Sequence, residues 1–375
     1  MKKIGIIGGG ISGLYLANII NNHPNFDYKV FERKSNFNFL EGYGIQLSVN
    51  SIKLLNKLNF NNLSPSEVCF PTKVNFFNSN HSKKICDISL SQFNDDQNRY
   101  TTTKRSTLLK FLLENIPKEK IKFKATLANV EQEENIKVDF SDNSVENFDY
   151  LIIADGIFSK SKSIILNKSF SPKYNNSIAI RAKLKGYNFD NISIIMGSNF
   201  HYVTYPINKN NEYNFVAILK KKLITSDLNY NNNFSKELEN HLKKILNKNS
   251  IIKFENLSEI KAFPVFVSKS FPSMNQKNIF FSGDALFAFP PSFAQGASQS
   301  IETAQDIFDC IDGRSDILYK NRFKKISSIN LRSKINNFAF QLSNPINILL
   351  RNIILKYLSK NKKFLENYLG KIYRN

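Results

Sequence analysis

The chain has 375 residues, enough for a large buried core in more than one domain, and carries 52 Lys and Arg against 31 Asp and Glu, a formal charge of +21. Its three cysteines, Cys69, Cys86 and Cys310, form no CxxC pair, and its four histidines, His23, His81, His201 and His241, show no ligand spacing, which argues against a disulfide framework and against a metal site. The charge comes with abundant lysine and asparagine and with no nucleic-acid-binding motif, so it reads as solvated surface and not as a nucleic-acid partner.

Met1-Lys2-Lys3 before an apolar run mimics a signal peptide, but the run leads into a glycine motif and no small-residue cleavage site follows. No targeting segment is expected, and no apolar stretch reaches the roughly 18 to 20 residues of a bilayer span. Ile4-Gly5-Ile6-Ile7 predicts a strand, glycines follow at Gly8, Gly10 and Gly13 with Ile11 and Ser12 between the last two, and Leu14, Leu16, Ala17 and Ile20 predict a helix. This is the GxGxxG dinucleotide fingerprint in its strand-turn-helix context. Gly8 permits the tight turn, Gly10 lets backbone N–H groups approach a pyrophosphate, and Gly13 lets helix and strand pack closely. Tyr28-Lys29-Val30-Phe31 predicts the next strand, closed by Glu32 and Arg33, with Glu32 placed to accept hydrogen bonds from a ribose.

The middle of the chain is strand-rich. Residues 177–182, 192–196 and 213–219 are enriched in β-branched and aromatic types, and Asn-rich turns such as Asn208 to Asn211 separate them. A substrate would lie between this sheet and the cofactor, as ligands do at domain interfaces, with Arg181, His201, Tyr202, Tyr205 and Pro206 as lining candidates. Ile279-Phe280-Phe281 then predicts a strand ending at Gly283 and Asp284, which puts a carboxylate where open α/β sheets bind ligands. Gln295-Gly296-Ala297 opens a helical stretch to Ile311, whose free N–H groups would stabilise negative charge on a reduced isoalloxazine. This late segment decides for FAD over NAD as the bound cofactor. Between Lys320 and Asn375 there are 13 Lys and Arg and one acid, Glu366, with Ile348, Leu349, Leu350, Ile353, Ile354, Leu355 and Leu358 in a helix-compatible pattern. Two readings stay open for this tail: a helix covering the core, or an interfacial helix in peripheral contact with anionic lipid.

These motifs resemble the group A FAD-dependent monooxygenases, the p-hydroxybenzoate hydroxylase-like superfamily. The family's late motif runs Gly-Asp-Ala-x-His, three residues, Pro, two residues, Gly-Gln-Gly, and here Gly283, Asp284, Ala285, Pro291, Gln295 and Gly296 hold that register without a gap, with Phe287 in place of His. Asp149 to Gly156 is similar to the family's strand-Asp-Gly segment around Asp155, with Ser159 in place and Lys162 where arginine is usual. Arg105 resembles the arginine that opens a helix and reaches the FAD. Gly42 and Gly44, before Ile45, resemble the glycine loop near the flavin ring. Ten of the 14 glycines lie in or beside these motifs.

The resemblance implies an α/β fold: a Rossmann-like FAD-binding domain built from residues 1–70, 101–168 and 277–330, a strand-rich substrate domain from 71–100 and 169–276, and a basic helical tail over 331–375. It implies a cytoplasmic enzyme that uses FAD, with NAD(P)H as transient co-substrate and O₂, to hydroxylate a small aromatic or phenolic substrate. Asp284, Pro291 and the Gln295–Ala297 backbone would position the cofactor, Arg105 and Asp155 would handle the pyrophosphate, and no side chain is assigned as a catalytic nucleophile. Two alternatives stand beside this: a ubiquinone-pathway ring hydroxylase at the membrane surface, and a flavin oxidoreductase that inserts no oxygen.

Overall fold

The structure is a computed structural model that describes all residues except 22, 38, 40–42, 80, 224–233, 247–250, 274–275, 316–317 and 375, so Gly42 lies outside the described residues. β1 (Lys2–Ile7) turns through the glycine loop into α1 (Ile11–Asn21), and β2 (Phe26–Glu32), β3 (Gly44–Leu47) and α2 (Val49–Asn56) follow. Next come β4 (Val68–Cys69), β5 (Lys73–Asn78), β6 (His81–Ser89), β7 (Thr101–Lys104) and α3 (Arg105–Glu114). β8 (Ile121–Phe123), β9 (Leu127–Gln132), β10 (Ile136–Phe140), β11 (Val145–Phe148), β12 (Tyr150–Ile153) and α4 (Lys160–Ile165) complete the first half.

The second half holds β13 (Lys173–Leu184), β14 (Ile192–Gly197), β15 (Phe200–Pro206), β16 (Tyr213–Lys220), α5 (Lys236–Ile245) and β17 (Leu257–Val267). It continues with β18 (Ile279–Phe281), α6 (Gly283–Leu286), α7 (Gly296–Ile311), α8 (Leu318–Phe340) and α9 (Pro345–Leu358), and ends in short helical turns between Lys362 and Tyr373.

A five-stranded sheet in the order β18-β12-β1-β2-β8 is parallel throughout, which sends the C-terminal ends of β1, β12 and β18 to one edge. Its central strands are apolar runs because both faces are covered, as parallel sheets require. On one face, Leu14, Leu16, Leu108, Leu112, Ile301 and Ile307 bring α1, α3 and α7 onto the sheet; on the other, the small antiparallel sheet β11-β10-β9 packs through Val138 and Phe140.

A seven-stranded sheet in the order β17-β13-β16-β15-β14-β5-β6 forms the second layer. Its pairings are antiparallel except where β14 runs parallel to β5, and that one pairing joins the early 71–100 segment to the late strands. α5 covers its outer face through Leu238 and Leu242. The sheet β3-β7-β4 links the two units: Gly44 N–H donates to Asn214 Oδ1 at 2.7 Å and Thr102 Oγ1 to the Pro206 carbonyl at 2.6 Å. α8 runs unbroken for 23 residues from Leu318 to Phe340, so the expected division at 330/331 falls inside one helix.

A candidate active site at the convergence of three strand ends

Three loops leave the same edge of the parallel sheet, and each turns through a glycine with positive φ: Gly8, Gly156 and Gly283. After β1, Gly8 has φ +113 and a Cβ there would lie 2.4 Å from the Ala154 carbonyl oxygen. A Cβ on Gly13 would lie 2.1 Å from the Gly8 carbonyl oxygen, whereas one on Gly10 would meet nothing within 4 Å. The first and third glycines close the turn; the second leaves open space beside the backbone, as a pyrophosphate cradle needs. Glu32 Oε2 accepts from Gly9 N–H at 2.9 Å and Oε1 from Lys34 N–H at 3.0 Å, fixing the carboxylate beside the loop with lone pairs left for ribose hydroxyls.

The second loop follows β12. Ser159 caps α4 by accepting from Lys162 N–H at 3.0 Å, and Asp155 turns toward Ser159 and Ser161 while its Oδ1 is buried without a partner among the described residues. Burial raises the Asp155 carboxyl above the ordinary range against those hydroxyls. The third loop follows β18 and carries Asp284. Desolvation raises its carboxyl while Arg105 and Lys162 oppose that; the group opens on a cavity, where solvent reaches it, but lies deep within the molecule. The Lys162 ammonium donates to the Ala285 carbonyl at 3.0 Å, and burial lowers its pKa against the pull of Asp155 and Asp284. Ala294, at φ 51, turns the chain into α7, a left-handed conformation that costs a non-glycine residue of the order of 1–2 kcal/mol.

These loops open on one cavity of about 1170 Å³. Gly10, Ile11, Ser12, Ala154, Gly156, Gly283, Asp284, Pro291 and the Gln295–Ala297 turn line one end, with Gly44, Ile45 and Arg105 beside them. The opposite wall is the inner face of the seven-stranded sheet, with Arg181, His201 and Tyr205 among apolar Ile192, Ile194 and Val203. His201 is 1 % exposed; burial drives its pKa down to about 3, and Gln341 Nε2, which also donates to the Ile218 carbonyl, lies 3.1 Å from Nδ1 and makes it an acceptor. The imidazole is therefore neutral. Arg181 stacks over Tyr43 at 5.9 Å, and burial raises the Tyr205 phenol while Arg181 pulls it the other way.

Seven expected site residues do not line the cavity: Gly8, Gly13, Glu32 and Asp155 belong to the loops that frame it, and Arg33, Tyr202 and Pro206 lie elsewhere. Tyr202 and Pro206 do not line the cavity: successive side chains on β15 point to opposite faces, so with His201, Val203 and Tyr205 inward, Tyr202 packs on Phe215 in the core behind the sheet. Arg33 is exposed beyond the end of β2 and does not reach the cavity. Gln295 gives the site only backbone, because its side chain donates to Ser48 Oγ at 3.1 Å in a buried cluster where Ser298 and Ser51 also meet. Phe287, at the family's histidine position, packs against Phe271 at 4.5 Å in the apolar core.

The sequence reading missed Gln46 and Tyr100, which share a 2.9 Å hydrogen bond at the cavity wall, and Asn214, whose carboxamide holds Gly44. None belongs to a spaced motif, so no local signal marks them.

A parallel sheet that feeds three loops into a cavity roofed by a mixed sheet is an architecture this chain shares with solved structures of FAD-complexed and hydroxylase proteins, so it has their fold. The Klebsiella pneumoniae HpxO structure complexed with FAD and uric acid superposes with a TM-score of 0.81 at 15 % identity, covering 99 % of this chain and 96 % of that one. A salicylate hydroxylase substrate complex gives 0.76 at 18 % identity over 100 % and 97 % of the two chains. In sequence, the 6-hydroxynicotinate 3-monooxygenase of Bordetella bronchiseptica is 22 % identical over 312 residues, 80 % of each chain. No protein-family model matches the chain.

Proposed function

We propose that the chain is a FAD-dependent monooxygenase that uses NAD(P)H and O₂ to hydroxylate an aromatic or phenolic substrate. The observation that carries this reading is the convergence on one cavity of an open glycine cradle at Gly10, the acid Asp284 and the N-terminus of α7. The cradle and the volume are compatible with FAD: Gly10 leaves room for a pyrophosphate, Glu32, held beside the loop by Gly9 N–H, would accept from the ribose, and the residues that open α7 line the same cavity. Bound there, FAD would take reducing equivalents from NAD(P)H and supply the oxygen-transfer chemistry.

The residues of the chain position and exclude. Gly10, Ser12 and Arg105 would hold the phosphates, and Asp284 and the Gln295–Ala297 backbone would orient the ring system. The apolar wall of Ile192, Ile194 and Val203 keeps water from the reacting ring, and Arg181 and Tyr205 offer polar groups for a phenolate or carboxylate.

The test is oxygen balance with labelled O₂. One NAD(P)H should be consumed per product, with one labelled oxygen atom in the new hydroxyl and the other in water. Product that forms without air and without label would refute oxygen insertion and leave a flavin oxidoreductase.

A further inference from the structure

α9 is firmly held on one side and bare on the other. Asn344 caps it by accepting from Ile346 N–H at 2.9 Å, the Arg351 guanidinium donates to Asn78 Oδ1 at 2.6 Å and to the Ala339 carbonyl at 3.2 Å, and Leu355 packs into the cluster of Phe76 and Phe340. Away from these anchors, Ile346, Leu349, Ile353 and Tyr357 form one stripe at helical spacing, each at least 55 % exposed. The adjoining α8 continues it with Leu331, Ile335 and Phe338, each at least 50 % exposed. Scattered exposed apolar residues need no explanation, but exposed stripes on two consecutive helices do.

Two further observations choose the occupant. No acidic residue occurs from Leu318 to Leu365, and exposed Lys334, Lys356, Lys360 and Lys363 flank the stripes, an arrangement complementary to an anionic surface with an apolar interior. The cavity that begins at Gly10 and Asp284 is also lined by Ile335 and Phe338 of the α8 stripe and by Leu350 and Ile354, half-exposed residues next to the α9 stripe in the sequence, so it extends to these two helices. We infer that the α8–α9 face docks on an anionic lipid surface and that the cavity admits a lipophilic substrate from it. Docking stands on the exposed helices alone; the nature of the admitted compound, an aromatic ring carrying an apolar group, rests on the monooxygenase reading.

The experiment is co-sedimentation of the full chain with vesicles of phosphatidylcholine alone and of phosphatidylcholine mixed with phosphatidylglycerol. The chain is expected to pellet with the mixed vesicles and to leave them as salt shortens the Debye length from about 10 Å at 0.1 M to about 3 Å at 1 M. The double variant Leu349→Glu/Ile353→Glu should bind roughly a hundredfold more weakly, because each of the two buried large aliphatic side chains contributes about tenfold. Its far-ultraviolet circular dichroism and thermal midpoint should match those of the parent, since both side chains are solvent-facing.

A parent chain that ignores both vesicle types overturns the inference, as does a variant that binds equally well. A parent that sediments as a dimer while the variant sediments as a monomer assigns the stripes to a second copy instead. Vesicle binding needs no turnover, so failure of docking leaves the hydroxylase reading standing, and failure of hydroxylation leaves docking untouched.

Discussion

Replacing His201 tests how dry the sheet wall of the cavity is. The unfolded chain takes up a proton on this imidazole near pH 6.5, whereas in the folded chain burial holds the pKa down to about 3. Between these values the unfolded state binds a proton that the folded state does not, so His201 subtracts nothing from stability above pH 6.5 and subtracts more as pH falls toward 3. The slope is about 1.4 kcal/mol per pH unit, or roughly 2–3 kcal/mol between pH 6.5 and 4.5. Other groups contribute to acid sensitivity, so the quantity to measure is a difference. Urea unfolding of the parent and of His201→Gln at several pH values would give it: the variant shifts the absolute stability at all pH values by its altered contacts with Gln341 and Phe340, but its acid slope below pH 6.5 should be shallower by about one proton. Parallel curves for the two proteins would show that water or a counter-charge reaches the imidazole and would refute the account of a dry wall.

The glycine cradle separates packing from binding. Gly13→Ala drives a methyl toward the Gly8 carbonyl oxygen and should cost at least about 1–3 kcal/mol in the thermal unfolding of cofactor-stripped protein, whereas Gly10→Ala, with nothing within 4 Å, should leave that midpoint in place and lower only FAD retention. Equal midpoints for the two variants would contradict the assigned roles. Arg322 is 7 % exposed and meets the equally buried Glu302 at 2.6 Å and Asp306 at 2.5 Å, so Arg322→Met should lose about 3 kcal/mol in urea unfolding, because it takes the guanidinium from both carboxylates and leaves Lys325 paired with Glu302. An unchanged urea midpoint would mean that the helix pair α7–α8 does not depend on this network.

Where a residue acts through its own backbone, the sequence was legible. The fingerprint at Gly8, Gly10 and Gly13 and the turn at Gly283 read correctly as strand-end loops because each glycine answers a local steric demand, seen in the φ of +113 at Gly8 and +58 at Gly283. The seven-stranded sheet was visible in outline for a similar reason, since β-branched and aromatic runs mark its strands. The phase of β15 was not visible. His-Tyr-Val-Thr-Tyr-Pro is apolar or aromatic on both faces, because one face meets the cavity and the other the core under α5, so alternation gives no contrast by which to sort Tyr205 from Tyr202. The tail posed the same difficulty in helical form. Apolar residues surround α9 almost completely, and only its contacts through Arg351 and Leu355 reveal which side faces outward. Gln46, Tyr100 and Asn214 are single polar residues whose partners are far off in sequence, and no pattern could announce them.

The pairing of β12 with β18 sets the order in which this chain can be completed at the ribosome. Leu151 to Ile153 lie beside Ile279 to Phe281, and between them the chain must thread the whole of β13 to β17. Until residue 281 has emerged, the parallel sheet presents β12 as an open edge, and the acid at 284 has not yet arrived. The roof sheet waits as well: β5 is made early but pairs with β14, so Val74 stays without its neighbour until Ile192 appears. A nascent chain of this protein therefore carries two unfinished sheets at once, and contacts of such long sequence separation form slowly. Synthesis arrested before β18 would leave a product with an intact glycine loop, no closed cavity and a strand edge free to pair with other chains.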